Sequence, residues 1–172
     1  PQTHISLENP KTELEKIASK FNKKLEAQRT KNQDLSTPAN WLTIADEADI
    51  LNIENRWKLP ENYLFFLKNY SPLKVFIDSK KYFQSLHLYG ASELIKRQEG
   101  YSFNPVTNKT IDEWPGNFVV IADAGADPYC IDISQIKEND APIYTSTHGS
   151  GEWKFELYAD SFLTFLKEIA GR

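Results

Sequence analysis

Cysteine is all but missing from this 172-residue chain, which has Cys130 and no other. A lone thiol excludes an internal disulfide framework and gives no sign of an oxidising compartment, so a cytoplasmic location is expected. Cys130 lies in an alternating pattern, where it reads as a small buried hydrophobe. Histidine is scarce too. His4, His87 and His148 form no His-x-x-x-His pair, and no paired-cysteine spacing exists, so no metal site is expected. The seven glycines fall into no Gly-x-Ser-x-Gly elbow, phosphate loop or dinucleotide fingerprint, and no cofactor is expected. No apolar run approaches the ~18 residues of a membrane span. The opening stretch PQTHISLENPKTELEK lacks the basic-then-apolar layout of a signal peptide.

Aromatic residues and interleaved charge are what the chain has instead. Aromatics make up 13% and charged residues 26% of it, the mixture of a folded domain rather than a disordered tail. Its length fits one domain by the ~100–200-residue prior and allows burial of about 70% of the unfolded surface. The net charge of −4 is spread unevenly. Residues 1–103 hold 15 Lys+Arg against 13 Asp+Glu, net +2, whereas residues 104–172 hold 5 against 11, net −6. Such an acidic half repels nucleic acid and attracts a basic protein, or else is solvated surface that keeps the protein soluble.

Asn9-Pro10 is a helix start, with an N-cap side chain followed by proline at the first helical position. Leu14, Ile17, Phe21 and Leu25 then repeat at helical spacing, which predicts an amphipathic helix to about residue 32. It docks on the domain or serves a partner. Lys31–Asn40 is polar, broken by Pro38, and reads as a linker, so residues 1–40 form a helical extension and 41–172 the domain. A second helix is expected from Thr43 to Asn55, with Ile44, Ile50, Leu51 and Glu54 in phase.

Pro60 suits the first turn of a third helix, because its missing N–H would be unpaired there anyway. Tyr63, Phe66, Leu67 and Tyr70 form its buried stripe, and Pro72 stops it. Strands are expected at Lys74–Asp78 and Tyr82–Tyr89, joined at Ser79-Lys80-Lys81, with Leu86 and Leu88 facing opposite to His87. A short helix at Ala91–Gln98 comes next, then a long irregular stretch, Tyr101–Gly116. Phe118–Ala122 and Tyr129–Ile133 read as an antiparallel pair turning through Gly125, succeeded by strands at Pro142–Thr147 and Trp153–Tyr158. Phe162, Phe165, Leu166 and Ile169 make a closing helix between an Asp160 cap and Gly171. The sum is a single domain of about five to six strands interspersed with helices, plus the N-terminal helical extension.

Chemistry has two candidate sites. Asp123, Asp127, Asp132 and His148 could together hold a cation or share acid–base work, but turn aspartates that cap backbone N–H groups account for Asp123 and Asp127 without a ligand. His148-Gly149-Ser150-Gly151 reads as a hairpin tip rather than a nucleophile site, since no base and orienting acid accompany Ser150. No enzyme is expected. Nucleic acid and membrane are not expected partners either.

Three blocks taken in order resemble one known group. They are Leu59-Pro60 with Tyr63, Phe66 and Leu67; Asp123, Gly125 and Asp127; and Phe162 with Phe165-Leu166. From roughly residue 44 to 170 the chain is similar to the SUKH superfamily, which contains the yeast cell-wall assembly regulator and many bacterial toxin-immunity proteins. The resemblance implies an α+β fold, a single domain with a twisted, mainly antiparallel sheet of about five to six strands and helices packed around it, and a non-enzymatic, protein-binding role. It implies either a bacterial immunity protein that neutralises a basic toxin domain by binding it, or a regulatory scaffold without a toxin partner. The partner-binding residues expected on this reading are Asp123, Asp127, Glu138, Asp140, Glu152 and Trp153, with Tyr101 and Trp114 from the long loop. Each has a structural reading as well, Trp153 above all as core. Two departures stand out. No glycine succeeds the Leu-Pro helix, whose exit reads Asn69-Tyr70-Ser71-Pro72, and Ala124 and Ala126 flank Gly125 where relatives carry more glycine.

Overall fold

The computed structural model describes residues 2–31, 41–78, 85–111, 114–147 and 152–172, without the side chains of residues 2–12, 30, 31 and 78. In chain order the elements are α1 (Gln2–Lys31), β1 (Trp41–Thr43), α2 (Glu47–Arg56), α3 (Glu61–Asn69), β2 (Ser71–Leu73), β3 (Val75–Asp78) and β4 (Ser85–Leu88). A 3-10 turn (Lys96–Gln98) and the short strands β5 (Phe103–Asn104) and β6 (Lys109–Thr110) come next. Then come β7 (Phe118–Ala124), β8 (Asp127–Asp132), β9 (Ile143–Thr145), β10 (Glu156–Ala159) and α4 (Phe162–Ala170). The expected turns at Ser79–Lys81 and His148–Gly151, and residues 32–40 of the linker, lie outside the described residues.

Hydrophobic spacing explains the helical layer. On α3 the side chains of Tyr63, Phe66 and Leu67 are fully buried, and on α4 those of Phe162, Phe165, Leu166 and Ile169 are too. The two helices meet through rings: Phe162 lies 4.9 Å from Tyr63, edge to face, and 5.3 Å from Phe66. Helix α1 adds Leu14, Ala18, Phe21 and Leu25, all buried, and packs against α3, α4 and β1. Lys24 Nζ reaches the carbonyls of Ala170 (3.1 Å) and Arg172 (2.7 Å), a cation at the end of α4 where the helix dipole favours one. The extension therefore docks on the domain and shares its core.

The main sheet has six strands in the order β10-β9-β8-β7-β4-β3, every neighbouring pair antiparallel. Its register places Val75 opposite Leu88, Ile77 opposite Leu86 and Ile131 opposite Ile143. These side chains share the face that the helices cover, and there Tyr129 meets Phe165 of α4 at 5.8 Å. The intervening residues Phe76, His87, Asp123, Cys130 and Tyr144 point to the other face, here called the outer face. Cys130 is buried, and burial pushes its thiol well above the usual range. Gly125 and Ala126 close the β7–β8 hairpin as a two-residue turn, both with positive φ (56° and 76°), the geometry that matches strand twist.

Local differences from the sequence reading have physical causes. Helix α2 starts at Glu47 rather than Thr43, because residues 41–43 pair with β2 and Asp46 caps the helix by accepting from the Ala48 N–H at 3.2 Å. The buried face differs as well: Ile50 and Ile53 are buried, while Ile44, ahead of the helix, and Leu51 are 82% and 61% exposed. Helix α1 begins ahead of Asn9-Pro10. Ser161, not Asp160, caps α4 by accepting from the Thr164 N–H at 3.0 Å. The Ala91–Gln98 stretch is a chain of turns ending in 3-10 geometry, and β5 and β6 organise part of the loop expected to be irregular. Trp153 and Phe155 precede β10 rather than lying in it.

Candidate functional site

The outer face is built from strand alternation plus Tyr89, Tyr101 and Trp114, whose rings pack onto it. Phe76, His87 and Asp123 stand side by side on β3, β4 and β7. The His87 ring stacks on Phe76 at 4.5 Å and meets Tyr89 edge-on at 5.1 Å. Tyr89 donates its hydroxyl to Asp123. Burial and that bond push the Tyr89 phenol above its usual range, and burial beside Asp123 does the same for Tyr101. Next to them, Glu93 bridges His87 Nε2 and Arg97 Nε, each at 3.0 Å.

Glu93 gives a pH-dependent contribution whose sign is set by its surroundings. Burial alone would raise its carboxyl, but His87 and Arg97 outweigh burial and hold it below the ordinary value of 4.5. A depressed carboxyl stabilises the fold fully above the unfolded value and loses that contribution as pH falls through the folded one. Glu93→Gln is therefore expected to lower stability at about pH 7, with the deficit shrinking below about pH 4.5. Urea unfolding of both proteins across that range checks it, and a deficit independent of pH would refute the assignment.

A continuous ribbon of rings crosses the same face. Tyr101 lies 5.7 Å from Trp114 and 6.0 Å from Trp153. Trp114 meets Trp153 at 5.5 Å and Phe155 at 5.2 Å, both edge to face. Phe155 meets Phe118 at 4.9 Å, and Phe118 stacks on Tyr144 at 5.1 Å. Apart from Trp114, which is 6% exposed, every ring in the ribbon is half-buried. Each therefore presents an edge or face to solvent while its neighbours hold its rotamer. Rigid aromatic groups of this kind lose little conformational entropy on binding.

The structure distributes the eight sequence candidates unevenly. Tyr101, Trp114, Asp123 and Trp153 come together on the outer face, and Asp127 sits at its rim, in electrostatic reach of Tyr101 and Tyr129. Trp114 is a support rather than a contact, because its indole N–H donates to the Phe118 carbonyl at 3.0 Å from a buried position. Glu152 is exposed beside Trp153 and pairs with Lys154 at 3.4 Å. Asp140 does not belong to this surface. It is 8% exposed and accepts from Asn62 Nδ2 and the N–H groups of Ala141, Phe162 and Leu163. Glu138 lies in the exposed turn that precedes it, near α3, where Asn139 accepts from the Asn62 N–H. Sequence reasoning missed Tyr89, Phe118, Tyr144 and Phe155. The signal was present only in part: Phe155 shares the alternation of Trp153.

The acidic cluster considered from sequence does not assemble. Asp132 sits at the opposite end of the β7–β8 ladder from Asp127, paired with Phe118, and its carboxylate accepts from Ser134 and Gln135. His148 lies outside the described residues. Among the described residues no group of three or more His, Cys, Asp or Glu is placed to hold a metal, and no helix is long and apolar enough to cross a membrane.

An antiparallel sheet with helices on one face and an aromatic, acid-edged surface on the other defines the class: an α+β domain whose partly exposed groups gather on one side of a sheet. Over residues 44–168 the chain matches the SMI1 / KNR4 family (SUKH-1), and it belongs to that family. The match includes the Leu59-Pro60 helix, the β7–β8 hairpin and most of α4. Among the curated proteins no match was found.

Proposed function

We propose that this chain is a non-enzymatic protein-binding module that uses the outer sheet face, and that it acts as a bacterial, cytoplasmic immunity protein against a basic toxin domain. The observation that carries the reading is the ring ribbon from Tyr101 to Tyr144, with the Asp123 carboxylate at one end and Asp127 beside it. Asp123 takes the Tyr89 hydroxyl, yet a carboxylate has room for about four donors, so a cation from a partner still fits. Family membership and the excess of acid in residues 104–172 support the same reading. Binding would occlude the toxin surface sterically, and opposite charge would speed association and make it salt-sensitive. The runner-up is a regulatory scaffold of the cell-wall assembly type, which family membership supports equally.

Affinity capture from the chain's own cells at low and moderate salt, read by mass spectrometry, tests it. One stoichiometric basic protein encoded nearby is expected. Its affinity should fall roughly tenfold, ~1.4 kcal/mol, for Asp123→Asn with Asp127→Asn. Several unrelated proteins, insensitive to those changes, would instead favour the scaffold.

A further inference from the structure

A concave surface elsewhere on the protein uses side chains other than those of the outer face. It is an open cleft of about 440 Å³ between α2 and the segment from Ala91 to Phe103. Asp49, Asn52 and Arg56 line one wall, at positions that share one stripe of α2. Ser92, Lys96 and Glu99 line the other, over an apolar floor of Ala91, Ile95 and Phe103.

Both walls are held from behind. Helix α2 is fixed by buried Ile50 and Ile53 and by its Asp46 cap. The opposite wall is tied to the sheet by Gln98, which is 2% exposed. Its amide donates to the Val120 carbonyl (2.8 Å) and accepts from the Val120 N–H (3.0 Å), as a neighbouring strand would. The same nitrogen also reaches the Leu94 carbonyl at 2.9 Å. The cleft is thus pre-formed, which lowers the ordering cost of binding.

Apart from Gln98, the polar side chains lining it are unengaged among the described residues. Among the described residues, the side chains of Asp49, Asn52, Arg56, Ser92, Lys96 and Glu99 make no hydrogen bond or ion pair with the protein, although Arg56 lies 5.2 Å over the Trp57 ring. One residue beyond Ser92 and Lys96, Glu93 and Arg97 are paired with each other. Each wall carries one anion and one cation. A ligand of single charge therefore meets repulsion on both walls, whereas a ligand with both signs is matched on both. Asn52 and Ser92 supply donor and acceptor groups suited to peptide N–H and C=O, and the floor suits the methylenes of long side chains.

We propose that this cleft is a second binding site and that it takes an extended peptide segment carrying both basic and acidic side chains. The site is independent of the outer face and of the function assigned to it.

The test is selection of random linear heptapeptides displayed on phage against the full chain, and then affinities of the synthesised winners. Sequences with both Lys or Arg and Asp or Glu are expected. They should bind Asn52→Trp and Lys96→Glu at least tenfold more weakly and Asp123→Asn with Asp127→Asn unchanged. Both cleft positions are exposed, so native-like melting of at least one of these two variants secures the comparison. The proposal is overturned if winners carry charge of one sign or none. It is equally overturned if Asn52→Trp and Lys96→Glu leave binding intact, if the aspartate changes abolish it, or if no sequence is enriched.

Discussion

Replacing Asp140 by alanine is expected to destabilise the fold by about 3–4 kcal/mol. The carboxylate sits at the N-terminus of α4, where the helix dipole favours an anion. One oxygen accepts from the N–H groups of Ala141 and Phe162, each at 2.7 Å, and the other from Asn62 Nδ2 at 3.0 Å and the Leu163 N–H at 3.2 Å. These four donors come from three places in the chain: α3, the turn after Asn139, and α4. Truncation strands all four in a buried setting, and each stranded donor loses more than an ordinary hydrogen bond contributes. Asp140→Asn keeps the shape but turns an N–H₂ toward other donors, so it should recover less than half of the loss. The urea midpoint at constant slope reads the effect. A loss below about 1 kcal/mol for Asp140→Ala would place the junction's strength elsewhere, in the ring contacts of Phe162.

Gly90→Ala is the second large effect. A Cβ at this position would lie 1.8 Å from the Pro72 carbonyl oxygen and 2.9 Å from its carbon. No rotamer relieves that overlap, because both atoms belong to backbone, so β2 or the end of β4 must move. The cost is expected to be about 3 kcal/mol or more, at or above the upper end for overpacking. Gly90 also anchors the turns on its C-terminal side: its carbonyl accepts from Glu93 and Leu94, and Ser71 Oγ accepts from the Ala91 N–H at 2.8 Å. Tyr89 on the outer face and Ala91 in the cleft floor flank it. Partner capture and peptide binding should therefore both weaken in a variant that still folds. Unchanged stability together with unchanged binding would mean that the close approach at Pro72 is not a constraint.

How far each feature was legible depended on whether one segment's own pattern decided it. The stripes of α3 and α4 could be read because 3.6-residue spacing fixes which side chains share a face; every core position of α4 proved buried, and of the α3 stripe only Tyr70, which lies past the helix end, is half-buried. The β7–β8 hairpin could be read from an apolar run around Gly125, although its strands continue to Ala124 and Asp127. Helix α2 was begun too early because residues 41–43 pair with β2, a partner that no local pattern announces. Asp140 looked like a surface acid in a charged stretch. Its burial comes from α3 and α4 converging on it, and from donors up to 78 positions away.

The candidate site divides the same way. Trp153 and Tyr101 are separated along the chain, and nothing in either neighbourhood requires contact, yet the fold brings their rings within 6.0 Å. By itself the sequence determined the core stripes and the acidic second half, since composition and periodicity are local quantities, and its ordered motifs carried the resemblance that implied the α+β class. Tertiary structure alone decided which acids face solvent, which rings join into a ribbon and where the unengaged polar groups form a cleft. Those depend on burial and on pairing between distant strands, and a chain's local pattern carries neither.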